Sequence, residues 1–287
     1  MKTLTSPIRS QAIDLCRDDG SPPFPGECKT TFQQIARSCV HLIQANSKSA
    51  IAADSDAVHR MRIELTRLRA AALFFSPMIA DDAWPAISKE LKWLNSALGK
   101  ARDRDVTVSY TCRKRYRRWA NRSRRALVRA QDKSHRKLTA KLLSDRHDRL
   151  IATVSGWAEH GPWALSGQSG LSEPTGIFSE SRLCSWRMQI SREGRHLRLL
   201  HRKQLHRLRI RCKRYRYVVT ALQSLEVPLA RQDLRFCETA KCVHAALGDL
   251  RDLKRLRRAV CSRPPGYGKT KRTLLQRAEK PFRHHGP

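Results

Sequence analysis

What most constrains this chain is that it states one pattern twice. His59-Arg60-Met61-Arg62-Ile63, closing in Arg67-Leu68-Arg69, returns as His206-Arg207-Leu208-Arg209-Ile210, closing in Arg214-Tyr215-Arg216. The histidine, the basic residues beside it and the final Arg-x-Arg keep identical offsets. A second phrase follows each copy. Leu98-Gly99-Lys100-Ala101-Arg102-Asp103 answers to Leu247-Gly248-Asp249-Leu250-Arg251-Asp252, and between the phrases Lys92 has its counterpart in Lys241. Ordered repetition at nearly constant spacing is the signature of a duplicated structural unit. The chain reads as two copies of one helical module.

Neither His-containing stretch holds Pro or Gly, and both are rich in residues that favour helix. At about 100° per residue, Val58, Met61, Leu65, Leu68 and Ala72 fall on one apolar stripe, with His59, Arg62 and Arg69 on an adjoining one. Arg60 and Arg67 project further round. In the second copy Leu205, Leu208, Cys212 and Tyr215 make the apolar stripe, and His206, Arg209, Lys213 and Arg216 the basic one. Each helix thus carries a row of cationic donors flanking its buried face. A solvated charged face explains most such rows, but solubility does not require the same cation at the same offset in both copies.

The charge balance says what those cations meet. Lys and Arg total 58 against 25 Asp and Glu, a formal net charge of +33 over 287 residues. That excess calls for a polyanionic partner: nucleic acid, anionic lipid or polyphosphate. Hydrophobic residues at 40% are too many for a disordered chain. The nine cysteines form no Cys-x-x-Cys pair, which suggests a reducing compartment. Cys237, Cys242 and His244 match no standard metal spacing, so no metal or other cofactor is expected. The first residues lack an apolar leader segment and no run approaches a membrane span, which makes the cytoplasm the default location.

The duplicated His-x-x-Arg helix (His59 and Arg62; His206 and Arg209) and the duplicated Leu-Gly-x-x-Arg-Asp turn resemble the CHAD family, named for conserved histidine α-helical domains. The likeness spans roughly residues 31 to 262. It implies an all-α fold of two helical bundles related by a pseudo-twofold, with the His/Arg helices facing a central basic cavity. It also implies binding of inorganic polyphosphate there, association with polyphosphate granules and no catalysis. On the combined reading the ligands are His59, Arg62, Arg67, Arg69, Lys92, Arg102, His206, Arg209, Lys213, Arg216, Lys241 and Arg251. Some relatives carry a fused triphosphate-tunnel domain marked by a Glu-x-Glu-x-Lys strand, and no such motif occurs in this sequence. The first copy departs from the second at Thr66, where the second has Lys213.

Along the chain, Gly- and Pro-rich residues 1–30 read as a mobile leader, 31–160 as the first helical repeat, 161–178 as a linker, 179–263 as the second repeat and 264–287 as a loosely ordered basic tail. Within the first repeat a helix is expected over 31–46. Asp54 or Asp56 caps the His59 helix, Ser76-Pro77 ends it, and Asp81 or Asp82 opens another over 84–98. Gly99 and Gly248 are expected to break or kink their helices. Gly268-Lys269-Thr270 mimics the end of a phosphate-binding loop, but Arg263 stands where such a loop needs glycine.

Arginine suits a polyphosphate chain because its planar fork donates two hydrogen bonds to one phosphate and stays charged at every accessible pH. His59 and His206 are expected to donate hydrogen bonds to phosphate and to tighten binding as pH drops. Asp103 and Asp252 are expected to pair with arginines and orient them. A rival reading gives Asp103, Asp105 and Asp252 a Mg²⁺ ion for phosphoanhydride hydrolysis, but no nucleophile or general base stands out. The alternative partner is RNA, bound by the Arg-rich stretch 113–125 with Tyr116 and Trp119 stacking on bases.

Overall fold

A computed structural model describes residues 26–79, 81–165 and 170–283. Among them the chain is helical throughout, with no strand beyond one isolated bridge between Glu27 and Pro174. The long helices are α1 (Cys28–Ile51), α2 (Ser55–Phe74), α4 (Trp84–Cys112), α5 (Lys114–Leu142), α6 (Asp145–His160), α8 (Thr175–Arg195), α9 (Arg202–Ser224), α10 (Arg231–Ala259) and α11 (Tyr267–Arg283). Two single turns, α3 (Ser76–Ile79) and α7 (Pro162–Leu165), and a 3₁₀ turn over Leu197–Leu199 complete the order. No helix among the described residues is long and apolar enough to cross a membrane.

Local chemistry sets the helix starts. Asp54 Oδ1 accepts from the Asp56 backbone N–H at 2.8 Å and caps α2. Asp81 Oδ1 does the same for Trp84 at 2.9 Å and opens α4, while its other oxygen accepts from Trp157 Nε1 at 2.9 Å and ties α6 to that corner. The apolar stripe of α2 is buried as its periodicity predicts: Val58, Met61, Leu65 and Leu68 are fully enclosed. So are Leu208, Cys212 and Tyr215 of α9. Each such side chain removed from water contributes roughly 1.5–3 kcal/mol before chain entropy is counted.

The two halves join through corresponding helices. α1, α2, α4, α5 and α6 pack on one another, α8, α9, α10 and α11 likewise, and α2 meets α9 while α4 meets α10. One continuous apolar core, running from Phe32 to Phe282, crosses that junction.

Several expectations need correction. Gly99 and Gly248 break nothing: α4 and α10 each run through their glycine without interruption. A helical glycine costs about 1 kcal/mol relative to alanine, which the buried neighbours Leu98, Ala101, Leu247 and Leu250 outweigh. The stretch 161–178 contains α7 and the start of α8. Trp163 is buried in a cluster with Phe32 and Trp157, and the Cys28 and Lys29 backbone N–H groups donate to Glu173 and Leu171. The basic tail is helical over Tyr267–Arg283, with Ala278 and Phe282 buried. Phe282 fits against Gly194 of α8 so closely that a Cβ there would lie 2.3 Å from its ring. Of the leader, residues 1–25 lie outside the described residues, whereas Cys28 already opens α1.

Candidate functional site

Where α2 and α9 run side by side, the same position of each repeat meets its equivalent. Lys213 Nζ donates to Thr66 Oγ1 at 3.0 Å, a contact between residues 147 apart, which is also the offset from His59 to His206. This gives the departure between the copies a physical reason. Two lysines there would face one another, whereas a threonine hydroxyl accepts from the one that is present. Arg62 and Arg209 flank this contact from the two helices, and Arg216 and Arg251 also reach Lys213 electrostatically. The result is a basic seam built from α2 and α9 and floored by α4 and α10.

Its electrostatics are those of cations crowded with little water. Burial, then Arg62, Arg209, Arg216 and Arg251, push the Lys213 amine down to about 6. Burial and Arg251 lower Arg209 to about 10, and burial lowers Arg62 as well. His59 falls to about 4 through burial and the charges of Arg102 and Arg62. His206 is lowered by burial and by Arg251 and Arg209, although it sits at the exposed edge of the seam. At neutral pH His59 is therefore neutral, and His206 is biased the same way. Of the two directions open to them among so many arginines, the structure takes the downward one.

Asp103 holds the arginines in register. Its oxygens lie 2.7 Å from Arg255, 3.2 Å from Arg251 and 4.0 Å from Arg62. Asp252 adds a 2.8 Å pair to Arg255, while burial raises its carboxyl against that pairing. Two carboxylates among Arg62, Arg209, Arg251 and Arg255 offset their repulsion only in part, so donors remain free for an anion. His59 Nδ1, Arg209 Nε and His244 Nε2 are buried polar atoms with no protein hydrogen-bond partner among the described residues.

The nominated residues do not all converge. His59, Arg62, Arg209, Lys213, Arg216 and Arg251 interact with one another along the seam, and Arg102 joins the His59 end, 3.5 Å from the Ser55 carbonyl. Arg69 lies beside Arg214, and burial and that charge lower it. Arg67 is drawn elsewhere. Its guanidinium is bound at 3.0 Å by the buried Glu64, which itself meets Cys39 of α1. Lys92 is exposed on α4, and Lys241 is exposed and paired with Glu238 at 3.4 Å. Asp105 is turned away from Asp103 and accepts from Gln131 while meeting His135 at 2.7 Å inside the core. Among the described residues no His, Cys, Asp and Glu group is arranged to hold a metal ion.

Matching the copies hid three seam residues. His244 is half-buried and lowered by burial and by Arg209, Arg216 and Lys213. Arg255 grips Asp103, and the Tyr217 ring lies 5.3 Å from Lys213 Nζ and 4.7 Å from Arg216. The first copy has Asn95, Val106 and Ala70 at the corresponding places, so nothing there repeats. A signal existed for Arg255, which falls at helical spacing from both Arg251 and Asp252.

The CHAD domain family matches this sequence over residues 34–261. Solved structures share the fold. The CHAD domain from the plant Ricinus communis superposes with a TM-score of 0.69 at 23% identity, covering 92% of this chain and 94% of its own. PptA from Streptomyces chartreusis superposes with a TM-score of 0.59 at 14% identity, covering 90% of this chain and 97% of its own. A search of curated proteins found no match to this sequence.

Proposed function

Because the chain belongs to the CHAD family, we propose that its basic seam binds inorganic polyphosphate without catalysing its turnover, and that this attaches the protein to polyphosphate granules. The observation that carries the reading is the meeting of Arg62, Arg209 and Lys213 from the two repeats around the Lys213–Thr66 contact. A linear chain of phosphates offers charge at regular spacing and no bases to read. A seam of arginine forks and one compact ammonium suits that ligand. A bound polyanion also relieves the repulsion that burial and like charge impose on these cations, so binding stabilises the fold by mass action. Isothermal titration with polyphosphate tests this. The wild type should bind, and a variant carrying Arg62→Gln, Arg209→Gln and Lys213→Gln should lose at least about tenfold in affinity, which corresponds to about 1.4 kcal/mol.

RNA binding through residues 113–125 loses one of its two aromatics. Tyr116 is 5% exposed and packs with Leu253 and Leu256 of α10, and Trp119 lies edge-on against Tyr116. Tyr116 therefore offers no open face for a base, and Trp119 is half-buried against it. The arginines of that stretch remain exposed and need another account.

A further inference from the structure

The outer face of α5 carries a straight row of cations. Arg118, Arg122, Arg125, Arg129, Lys133 and Arg136 follow one another at steps of three or four residues, which keeps them on one stripe of a helix. All are exposed, and the stripe lies opposite the buried Tyr116, Ala120, Leu127 and Leu138. From Arg118 to Arg136 the row extends about 27 Å at about 1.5 Å per residue.

Three observations separate this row from an ordinary solvated face. Asp132 is the single acidic residue of α5, whereas α10, of equal length, intersperses Asp233, Glu238, Asp249 and Asp252 among its cations. None of the row's side chains has an ion-pair or hydrogen-bond partner among the described residues. Like charges three and four residues apart destabilise a helix, so the row lowers the stability of the free protein and gains by meeting an anion. Finally, the start of α5 adjoins α10, the helix that carries Arg251 of the seam. Arg113, the residue before its first turn, stacks 3.7 Å over the Tyr110 ring, and the Tyr110 hydroxyl donates to Asp249 of α10 at 3.4 Å.

We propose that the outer face of α5 is a second binding surface for the same linear polyanion, engaging the length of a polyphosphate chain that extends beyond the seam. This rests on the seam being a polyphosphate site. The stripe itself holds no aromatic residue, so the ridge offers charge and spacing only. A flexible chain of phosphates can follow a straight row without base recognition. Two surfaces on one ligand make the second contact intramolecular, so long chains bind far more tightly than short ones with no new contact in the seam.

The experiment is a titration of the full chain with tripolyphosphate and with long-chain polyphosphate. It compares the wild type, a ridge variant (Arg118→Gln, Arg122→Gln, Arg125→Gln, Arg129→Gln) and a seam variant (Arg62→Gln, Arg209→Gln). The ridge residues are exposed and unpaired, so the ridge variant should melt no lower than the wild type without ligand. It should lose about tenfold or more for the long chain while its tripolyphosphate affinity stays within about twofold. Its long-chain affinity should also fall less steeply with salt, since fewer counterions are released. Long-chain affinity within about twofold of wild type would overturn the proposal, as would a ridge variant whose only loss is in binding a single-stranded RNA competitor. A seam variant that keeps wild-type tripolyphosphate affinity overturns the seam reading instead, and the ridge would then be the primary surface rather than a second one.

Discussion

Lys213 should make polyphosphate binding take up a proton. In the free protein its amine is held at about 6 by burial and by Arg62, Arg209, Arg216 and Arg251. At pH 7.5 it is therefore almost wholly neutral, donating to Thr66 as an amine. A phosphate chain laid along the seam cancels the arginine charges that, beside burial, hold the proton off, and the amine moves back up toward the ordinary lysine range near 10.4. Above pH 6 each binding event takes up as much as about one proton, so affinity should fall as pH rises from 7 to 9, by up to about tenfold per unit. His59, at about 4 when free, adds a second proton only below its ordinary value of about 6.5. The steepest dependence is thus assigned to the lysine and not to the histidines. Free-protein stability runs the opposite way. A depressed lysine leaves the unfolded chain holding more protons between pH 6 and 10, so the unliganded fold should gain stability as pH rises through that window. Calorimetry at pH 7.5 in two non-phosphate buffers of different ionisation enthalpy reads the proton directly, with Lys213→Gln as the control that abolishes it. Equal heats in both buffers, with affinity flat from pH 7 to 9, would refute the reasoning.

Three further outcomes follow from the packing. Asp103→Asn removes the carboxylate shared by Arg62, Arg251 and Arg255; it should destabilise the free protein by about 1–3 kcal/mol given its partial exposure, with the deficit shrinking in differential scanning calorimetry when polyphosphate is present. Phe282→Ala empties the contact between α11 and Gly194, which should cost about 3 kcal/mol and expose the α11 amides to hydrogen exchange ahead of the rest of the fold. Gly99→Ala places a methyl in open space within a continuous helix; chemical denaturation should show a gain of about 0.5–1 kcal/mol, and a loss would mean that the glycine is needed for its conformation.

The all-α fold was legible because strong periodic signals carry it. The apolar stripes of α2 and α9 are buried where the 3.6-residue repeat places them, and Asp54 and Asp81 cap the helices they precede. Local signals misled where tertiary packing overrode them. Gly99 and Gly248 read as breaks because local propensity carries no information about the core on either side. The α11 segment read as a tail because its lysines and arginines masked Ala278 and Phe282, which find their partner only on α8. Within the seam, repetition pointed to Arg62, Arg209, Arg102 and Arg251, and it was blind to His244, Arg255 and Tyr217, which one copy alone possesses. Arg67 is part of the repeated Arg-x-Arg, although Glu64, three residues earlier, offers it a buried partner.

The most direct test of the central claim is a competition titration at near-physiological salt. Labelled long-chain polyphosphate bound to the full chain would be displaced by unlabelled polyphosphate or by RNA of matched charge, for the wild type and for a variant with His59, Arg62, His206 and Arg209 changed to Ala. The seam account predicts that polyphosphate outcompetes RNA by well over about tenfold, or about 1.4 kcal/mol, and that the variant loses this preference. Equal competition by RNA, with the variant indistinguishable from wild type, would contradict it and leave a protein that binds polyanions by surface charge alone.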